Sequence, residues 1–113
     1  MLKIYHNPRC RKSREALAIL LDKGHDPEII QYLKDPPSIP ELKDLLVKMD
    51  MKPEEIIRTG EKIYRENYKG RKLTDEEWFN ILVENPILIE RPIVVSGEKA
   101  VLGRPPEKIL EII

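Results

Sequence analysis

Cysteine is scarce in this sequence, because a single thiol, that of Cys10, stands among 113 residues. One cysteine cannot form a disulfide within the chain, so a scaffold held together by disulfides is excluded and a reducing, cytoplasmic location is expected. The chain also has only two histidines and lacks the ligand spacing of a zinc site. We therefore expect no metal ion and no tightly bound cofactor.

Long apolar runs, net charge and aromatic residues are also lacking. No stretch approaches the roughly 20 apolar residues that span a bilayer, so we expect no membrane association. Twenty basic residues balance twenty acidic ones, and aromatic residues make up 5% of the chain. Neither a polyanion-binding surface nor a base-stacking platform is indicated, so no nucleic acid partner is expected. We expect a monomer with a single domain over residues 1–113.

The first third of the sequence has the pattern of a β-α-β unit. Leu2 to His6 predicts a buried strand, and the apolar spacing that follows predicts a helix that ends at Gly24. Pro27 to Leu33 predicts a second strand, which Pro36-Pro37 would stop.

Residues from about 38 to 85 predict a helical insert. Capping boxes begin at Ser38 and at Thr74, and Pro53 suits the first turn of a further helix. Beyond this insert, residues 93–102 predict a hairpin and Pro105-Pro106 starts a last helix. The order β-α-β, helical insert, β-β-α predicts an α/β fold with one mixed sheet.

Cys10 lies where a thiolate is favoured, between a Pro-containing turn and the start of the first predicted helix. Helix N-termini carry unpaired N–H groups and about half a positive charge. Further cations lie within about one turn of the sulfur: Arg9, Arg11, Lys12 and Arg14. A lone cysteine is often a buried apolar residue, but a charged flank of this kind does not suit an apolar core. The pattern favours a reactive thiolate.

The helix terminus alone does not supply enough energy to ionise the thiol. Lowering a thiol pKa from about 8.5 to about 6.5 requires about 2.7 kcal/mol. A helix N-terminus contributes about 0.3–1 kcal/mol, and about 2 in a sheltered geometry. Neighbouring cations or hydrogen bonds must supply the rest.

Three arginines, Arg58, Arg91 and Arg104, stand where elements are predicted to end. A guanidinium presents paired N–H donors that suit tetrahedral oxyanions. If these loops converge on Cys10, one pocket would hold a thiolate and several cations. Most arginines only interact with solvent or form surface ion pairs, so the spacing alone leaves convergence open.

Three polar residues near the thiol, His6, Asn7 and Ser13, are candidates for supporting roles. His6 either tunes Cys10 or is a strand histidine hydrogen-bonded to backbone. Ser13 either donates to the sulfur, which we favour, or caps the helix.

Several ordered motifs together resemble one known family. They are Tyr5-His6-Asn7-Pro8-Arg9-Cys10 with Ser13-Arg14, Tyr32-Leu33 before Pro36-Pro37, Ile57-Arg58, the run from Asn85 to Val95, and Arg104-Pro105. The chain resembles the glutaredoxin-coupled arsenate reductases of the ArsC family, which have a thioredoxin-like fold. The resemblance extends roughly from Lys3 to Ile112.

The resemblance implies that Cys10 is the nucleophile and that Arg58, Arg91 and Arg104 bind arsenate or a similar oxyanion. It also implies a cis peptide bond between Arg91 and Pro92. Arsenate would be reduced to arsenite through a Cys10 adduct, with glutathione as the reducing co-substrate and glutaredoxin as the protein partner. The lone cysteine is consistent with an external reductant, since this chain has no second thiol with which to resolve an adduct internally.

Two alternatives stay open at this point. The same fold and thiol would suit a glutathione-dependent thiol/disulfide reductase that acts on another substrate. The resemblance also extends to Spx-type regulators that bind RNA polymerase. Those regulators usually carry a C-x-x-C pair, and here the residue three before Cys10 is Asn7.

Overall fold

The two strands predicted near the N-terminus are parallel neighbours in the computed structural model, which describes residues 2–113. Strand β1 (Leu2–Tyr5) is followed by helix α1 (Arg11–Asp22) and strand β2 (Glu28–Ile30). Strands β3 (Ile93–Ser96) and β4 (Lys99–Leu102) complete a sheet in the order β2-β1-β3-β4. The β1–β3 and β3–β4 pairs are antiparallel. The predicted mixed sheet is therefore confirmed.

The core of this sheet lies around the central strand β1. Ile4 pairs with Ile29 of β2 on one side and with Val94 of β3 on the other. Five fully buried residues form the cluster: Ile4, Ala16, Leu20, Val94 and Ile109. Because β1 is central and buried, the loop that follows it starts from a rigid position.

Helix α1 ends in the way that its glycine predicts. Gly24 has a φ of +82°, its N–H donates to the carbonyl of Leu21, and the N–H of His25 donates to that of Leu20. These two hydrogen bonds are the pair that defines a Schellman motif.

Three elements differ from their predictions, one of them the helix predicted to begin at Pro53, which is a 3₁₀ helix over Pro53–Ile56. Strand β2 ends at Ile30 rather than Leu33, because the chain turns there and the N–H groups of Lys34 and Asp35 both donate to the carbonyl of Gln31. The last predicted helix is a 3₁₀ helix over Pro106–Glu111.

By its internal contacts the chain divides into two compact units, residues 2–35 with Arg91–Ile113, and Pro36–Glu90. The second unit contains α2 (Ile39–Met49), α3 (Lys62–Asn67) and α4 (Asp75–Glu84), with 3₁₀ helices at Pro53–Ile56 and Pro86–Leu88. Helix α4 packs against α2 and both 3₁₀ helices.

Side-chain caps fix where the two longer helices of the second unit begin. Ser38 accepts a hydrogen bond from the N–H of Glu41 at the start of α2, and Thr74 forms a complete capping box with Glu77 at the start of α4. Within residues 2–113, no helix is both long enough and apolar enough to cross a bilayer.

Candidate active site

The turn between β1 and α1 is closed by its own hydrogen bonds. The N–H of Cys10 donates to the carbonyl of Asn7 at 2.9 Å, and the N–H of Arg9 donates to Oδ1 of Asn7 at 3.0 Å. From α1, Nη1 of Arg14 donates to the carbonyl of Pro8 at 3.0 Å. Asn7 is therefore a structural residue of this turn, and Arg14, which the sequence suggested only as a local cation, holds the turn in place.

His6, Asn7 and Ser13 meet beneath this turn, and all three are buried. Nδ1 of His6 and Oγ of Ser13 share a hydrogen bond of 2.6 Å, and the N–H of Asn7 donates to the same Oγ at 3.0 Å. Burial lowers the pKa of His6, and the Arg14 cation lowers it further. Both effects favour the neutral form of the imidazole, which lies beside the serine hydroxyl.

Cys10 is the N-cap residue of α1, with extended backbone angles and partial exposure of its side chain. Partial burial raises the pKa of its thiol, but hydrogen bonds to the sulfur outweigh this effect and the resulting pKa is lowered. The donors are the backbone N–H of Ser13, the guanidinium of Arg91 and the backbone N–H of Lys12. The positive charge of Arg91 adds to them. The expected role of the helix N-terminus is visible here as two N–H groups directed at the sulfur.

The Ser13 hydroxyl differs from the favoured prediction. Its oxygen holds His6 and Asn7, and it is the backbone N–H of Ser13 that hydrogen-bonds to the sulfur. The side chain therefore supports the turn, while the helix backbone stabilises the thiolate.

Arg91 reaches Cys10 from the segment that precedes β3. Its side chain is 6% exposed, and its peptide bond to Pro92 is cis, as the resemblance implies. The desolvated surroundings strengthen the electrostatic effect of the guanidinium on the sulfur.

Arg104 holds the same segment. Its Nη1 donates to the carbonyl oxygen of Arg91 at 2.9 Å, and the N–H of Gly103 donates to the carbonyl of Pro92 at 2.8 Å. A cis peptide bond joins Arg104 to Pro105 as well, which the sequence did not predict. Two of the three predicted arginines thus lie in the unit that carries Cys10, in contact with each other.

Arg58 lies in the second unit. Its N–H donates to the carbonyl of Leu88, and its Nε lies 3.4 Å from Oε2 of Glu61 and 3.8 Å from Oε1 of Glu90. Within the described residues, Nη1 of Arg58 is buried without a hydrogen-bond partner. Its predicted participation at Cys10 stays a prediction.

This arrangement is suited to attack by sulfur on an anion. A lowered thiol pKa supplies the nucleophile, and a guanidinium next to the sulfur offsets the repulsion between two negative groups. No cluster of metal-ligating side chains occurs within residues 2–113.

Comparisons with known proteins find matches that cover nearly the whole chain. The model of the ArsC family matches residues 5–112. YfgD, an uncharacterized protein of Escherichia coli, is 46% identical over 114 residues, which cover 99% of this chain and 96% of YfgD. An arsenate reductase of Haemophilus influenzae is 44% identical over 112 residues, which cover 97% of each chain.

A solved structure supports the same grouping. The structure of an arsenate reductase from Vibrio cholerae matches with a TM-score of 0.94 and 45% identity, covering 99% of this chain and 97% of that one. The fold is accordingly the thioredoxin-like fold of these proteins. With its family model, sequence relatives and fold in agreement, the chain belongs to the ArsC family.

Proposed function

We propose that this protein is a glutathione- and glutaredoxin-dependent arsenate reductase of the cytoplasm, with Cys10 as its nucleophile. The observation that carries the proposal is the hydrogen bond from the Arg91 guanidinium to the Cys10 sulfur, in a site where the pKa of the thiol is lowered. The names of the relatives from Haemophilus influenzae and Vibrio cholerae support arsenate as the substrate.

In the first step, the Cys10 thiolate attacks the arsenic atom of hydrogen arsenate. A sulfur–arsenic bond forms and one arsenic–oxygen bond breaks. The departing oxygen takes up two protons and leaves as water. Arg91 faces the charge that develops on the remaining oxygens, and donors of this kind typically contribute about 10²–10³ in rate.

In the second step, a glutathione thiolate attacks the Cys10 sulfur. A disulfide bond forms while the sulfur–arsenic bond breaks, and its electron pair stays on arsenic, which leaves as arsenite. The two sulfurs are oxidised and arsenic is reduced by two electrons. Because the chain has only one cysteine, an external thiol must clear the mixed disulfide, and we assign this exchange to glutaredoxin with a second glutathione.

The other two arginines have different kinds of support. Arg104 contacts the backbone of Arg91, so it both positions that residue and adds positive charge to the same unit. Arg58, which lies in the other unit, is assigned to the oxyanion from the family resemblance.

A coupled assay with arsenate, glutathione and glutaredoxin tests the proposal. We expect no turnover for Cys10→Ser. For Arg91→Ala we expect a loss of about 10²–10³ in kcat/KM for arsenate. Arg65→Ala, which removes an exposed arginine of α3, is the matched control and should retain the native rate.

Two results would contradict the proposal. Native turnover by Cys10→Ser would remove the nucleophile from the mechanism. Reduction of glutathione mixed disulfides without any arsenate turnover would instead identify a thiol/disulfide reductase.

A further inference from the structure

A groove of about 370 Å³ lies beside the cysteine turn, within the same unit. One wall is the turn itself, with Asn7, Pro8 and Arg9. The other wall is the segment after β2, where Gln31, Leu33 and Lys34 line the groove. Its volume falls within the range of small-molecule sites.

The charged side chains that line this groove are positive. Within the described residues, its lining includes the two cations Arg9 and Lys34 and no carboxylate. The larger groove of the second unit, of about 530 Å³, differs because Asp50, Glu55 and Asp75 line it together with two lysines. Of these two grooves, the one beside the cysteine turn is complementary to a ligand with several negative charges.

The remaining lining suits a peptide. The amide side chain of Gln31 carries donors and an acceptor of the kind that peptide groups pair with. Leu33 and Pro8 supply apolar surface for a short aliphatic portion.

The groove is also close enough to the thiol for a ligand to reach it. Arg9 and Cys10 are chain neighbours, so their Cα atoms are about 3.8 Å apart. The hydrogen bond from the Cys10 N–H to the Asn7 carbonyl fixes the thiol at the end of the same turn. An extended tripeptide spans about 10 Å, so a ligand held by Arg9 and Lys34 can place a central thiol at the sulfur of Cys10.

We propose that this groove binds the reducing co-substrate, an anionic tripeptide thiol of the glutathione type, with Arg9 and Lys34 pairing with its two carboxylates. The inference rests on the proposed function and adds to it a binding site that is separate from the arginines proposed for the oxyanion. Lys34 is a specificity residue in this scheme, since it recognises the carboxylate rather than the reacting atoms.

The test uses thiol–disulfide exchange at Cys10 and so does not depend on arsenate. The Cys10 thiolate attacks oxidised glutathione, forms a mixed disulfide and releases one glutathione thiolate. The same attack on bis(2-hydroxyethyl) disulfide, a neutral disulfide, releases 2-mercaptoethanol. For Lys34→Glu we expect the rate with oxidised glutathione to fall about fivefold or more, with a change of less than about twofold for the neutral disulfide.

Lys23→Glu is the control, because it makes the same charge change at the C-terminal cap of α1, outside the groove. It should leave the ratio of the two rates unchanged. If Lys34→Glu lowered the exchange rates with both disulfides by the same factor, the proposal would be overturned. It would also be overturned if Lys23→Glu changed the ratio of the two rates as much as Lys34→Glu does.

Binding is measured separately with S-methylglutathione, which lacks a reactive thiol. We expect it to shift the backbone amide NMR signals of Arg9, Gln31, Leu33 and Lys34 in the native protein, and to shift them far less in Lys34→Glu. Shifts confined to other residues would overturn the proposal. Equal shifts with inorganic phosphate would overturn it too, since they would indicate a general anion site.

These outcomes separate the two proposals. Charge-dependent selectivity in a protein without arsenate turnover would leave the groove assignment intact and remove the arsenate reductase proposal. Arsenate turnover with no selective effect of Lys34→Glu would support the arsenate reductase proposal and remove the groove assignment.

Discussion

Arg104 positions Arg91 through the backbone, since Nη1 of Arg104 donates a 2.9 Å hydrogen bond to the carbonyl oxygen of Arg91. Arg91 in turn hydrogen-bonds through its side chain to the sulfur of Cys10. The two arginines are therefore not equivalent, although both carry a charge that suits an oxyanion. One acts directly on the thiol and the other acts on the segment that carries the first.

This difference predicts unequal effects on the Cys10 pKa. Arg91→Gln removes both a hydrogen bond and a positive charge, so the pKa should rise toward the ordinary cysteine value of about 8.5. Arg104→Gln should raise it by less, because Arg104 contacts the backbone of Arg91 rather than acting on the sulfur through a side-chain hydrogen bond of its own. The thiolate absorbance against pH measures this after subtraction of the Cys10→Ser titration, which removes the contribution of the four tyrosines, and the chain has no other cysteine. An unchanged pKa in Arg91→Gln would contradict the assigned contact.

The pH dependence of alkylation at Cys10 should follow the same order. Thiolate is the reacting species. In the native protein the alkylation rate should therefore reach its plateau at a lower pH than that of an ordinary cysteine, whose pKa is about 8.5. In Arg91→Gln the rise should extend to higher pH. Identical profiles in the native protein and in Arg91→Gln would argue against this guanidinium as the cause of the lowered pKa.

Ser13→Ala separates the two roles of that residue. The substitution leaves the buried N–H of Asn7 without the serine oxygen that accepts from it, which typically costs about 1–3 kcal/mol of unfolding free energy. The Cys10 pKa should stay lowered, because Ser13 acts on the sulfur through its backbone N–H. Urea unfolding and the thiolate titration measure the two effects. A Cys10 pKa that rises to about 8.5 in this variant would restore the hydroxyl as the donor.

The elements that the sequence predicted correctly are those set by local chemistry. The capping box at Thr74, the helix end at Gly24 and the turn of the hairpin predicted over residues 93–102, where Gly97 has a φ of +60°, each depend on hydrogen bonds or backbone angles within a few residues. Strand β2 was predicted too long because Tyr32 continues the apolar pattern past Ile30. Tyr32 is buried, but it lies in a turn. Apolar periodicity does not distinguish a buried turn residue from a buried strand residue.

The site was only partly predictable because its decisive contacts join distant parts of the chain. The helix N-terminus at Cys10 follows from local spacing, and the structure places the backbone N–H groups of Lys12 and Ser13 on the sulfur. No local pattern indicates that Arg91 reaches this thiol, since the contact depends on the pairing of β1 with β3. That part of the prediction depended on the family resemblance.

His6 predicts a loss of stability in mild acid. Its pKa is lowered in the folded protein, by burial first and by Arg14 second, so below about pH 6.5 the unfolded chain binds more protons than the native one. The stabilising contribution is present above about pH 6.5 and is lost as the pH falls through the folded pKa. Urea unfolding between about pH 7 and 5.5 should show this decrease, and His6→Gln should weaken it. His25→Gln is the control and should retain the decrease, as His6 is still present. An unchanged slope in His6→Gln would contradict the role of the buried imidazole.

Gly103 lies where β4 leads into Arg104, and a side chain there would be crowded by its neighbours. A Cβ atom at this position would lie 3.0 Å from Cγ of Pro92 and 3.2 Å from Cγ2 of Ile109. Gly103→Ala should therefore lower the unfolding free energy by about 1–3 kcal/mol, the usual effect of overpacking. Because the N–H of Gly103 also donates to the carbonyl of Pro92, the substitution should displace Arg91 and raise the Cys10 pKa.

Gly60→Ala provides the matched control for Gly103→Ala. A Cβ atom at Gly60 meets nothing within 4 Å, and the backbone there is outside the left-handed region. This variant should be neutral or more stable by about 0.4–1 kcal/mol, since alanine restricts the unfolded chain. Urea unfolding measures both variants, and the thiolate titration of Gly103→Ala gives a second readout. Equal stability of the two variants, together with a native Cys10 pKa in Gly103→Ala, would contradict the prediction. The packing of Pro92 against Gly103 would then have no part in positioning Arg91 at the thiol.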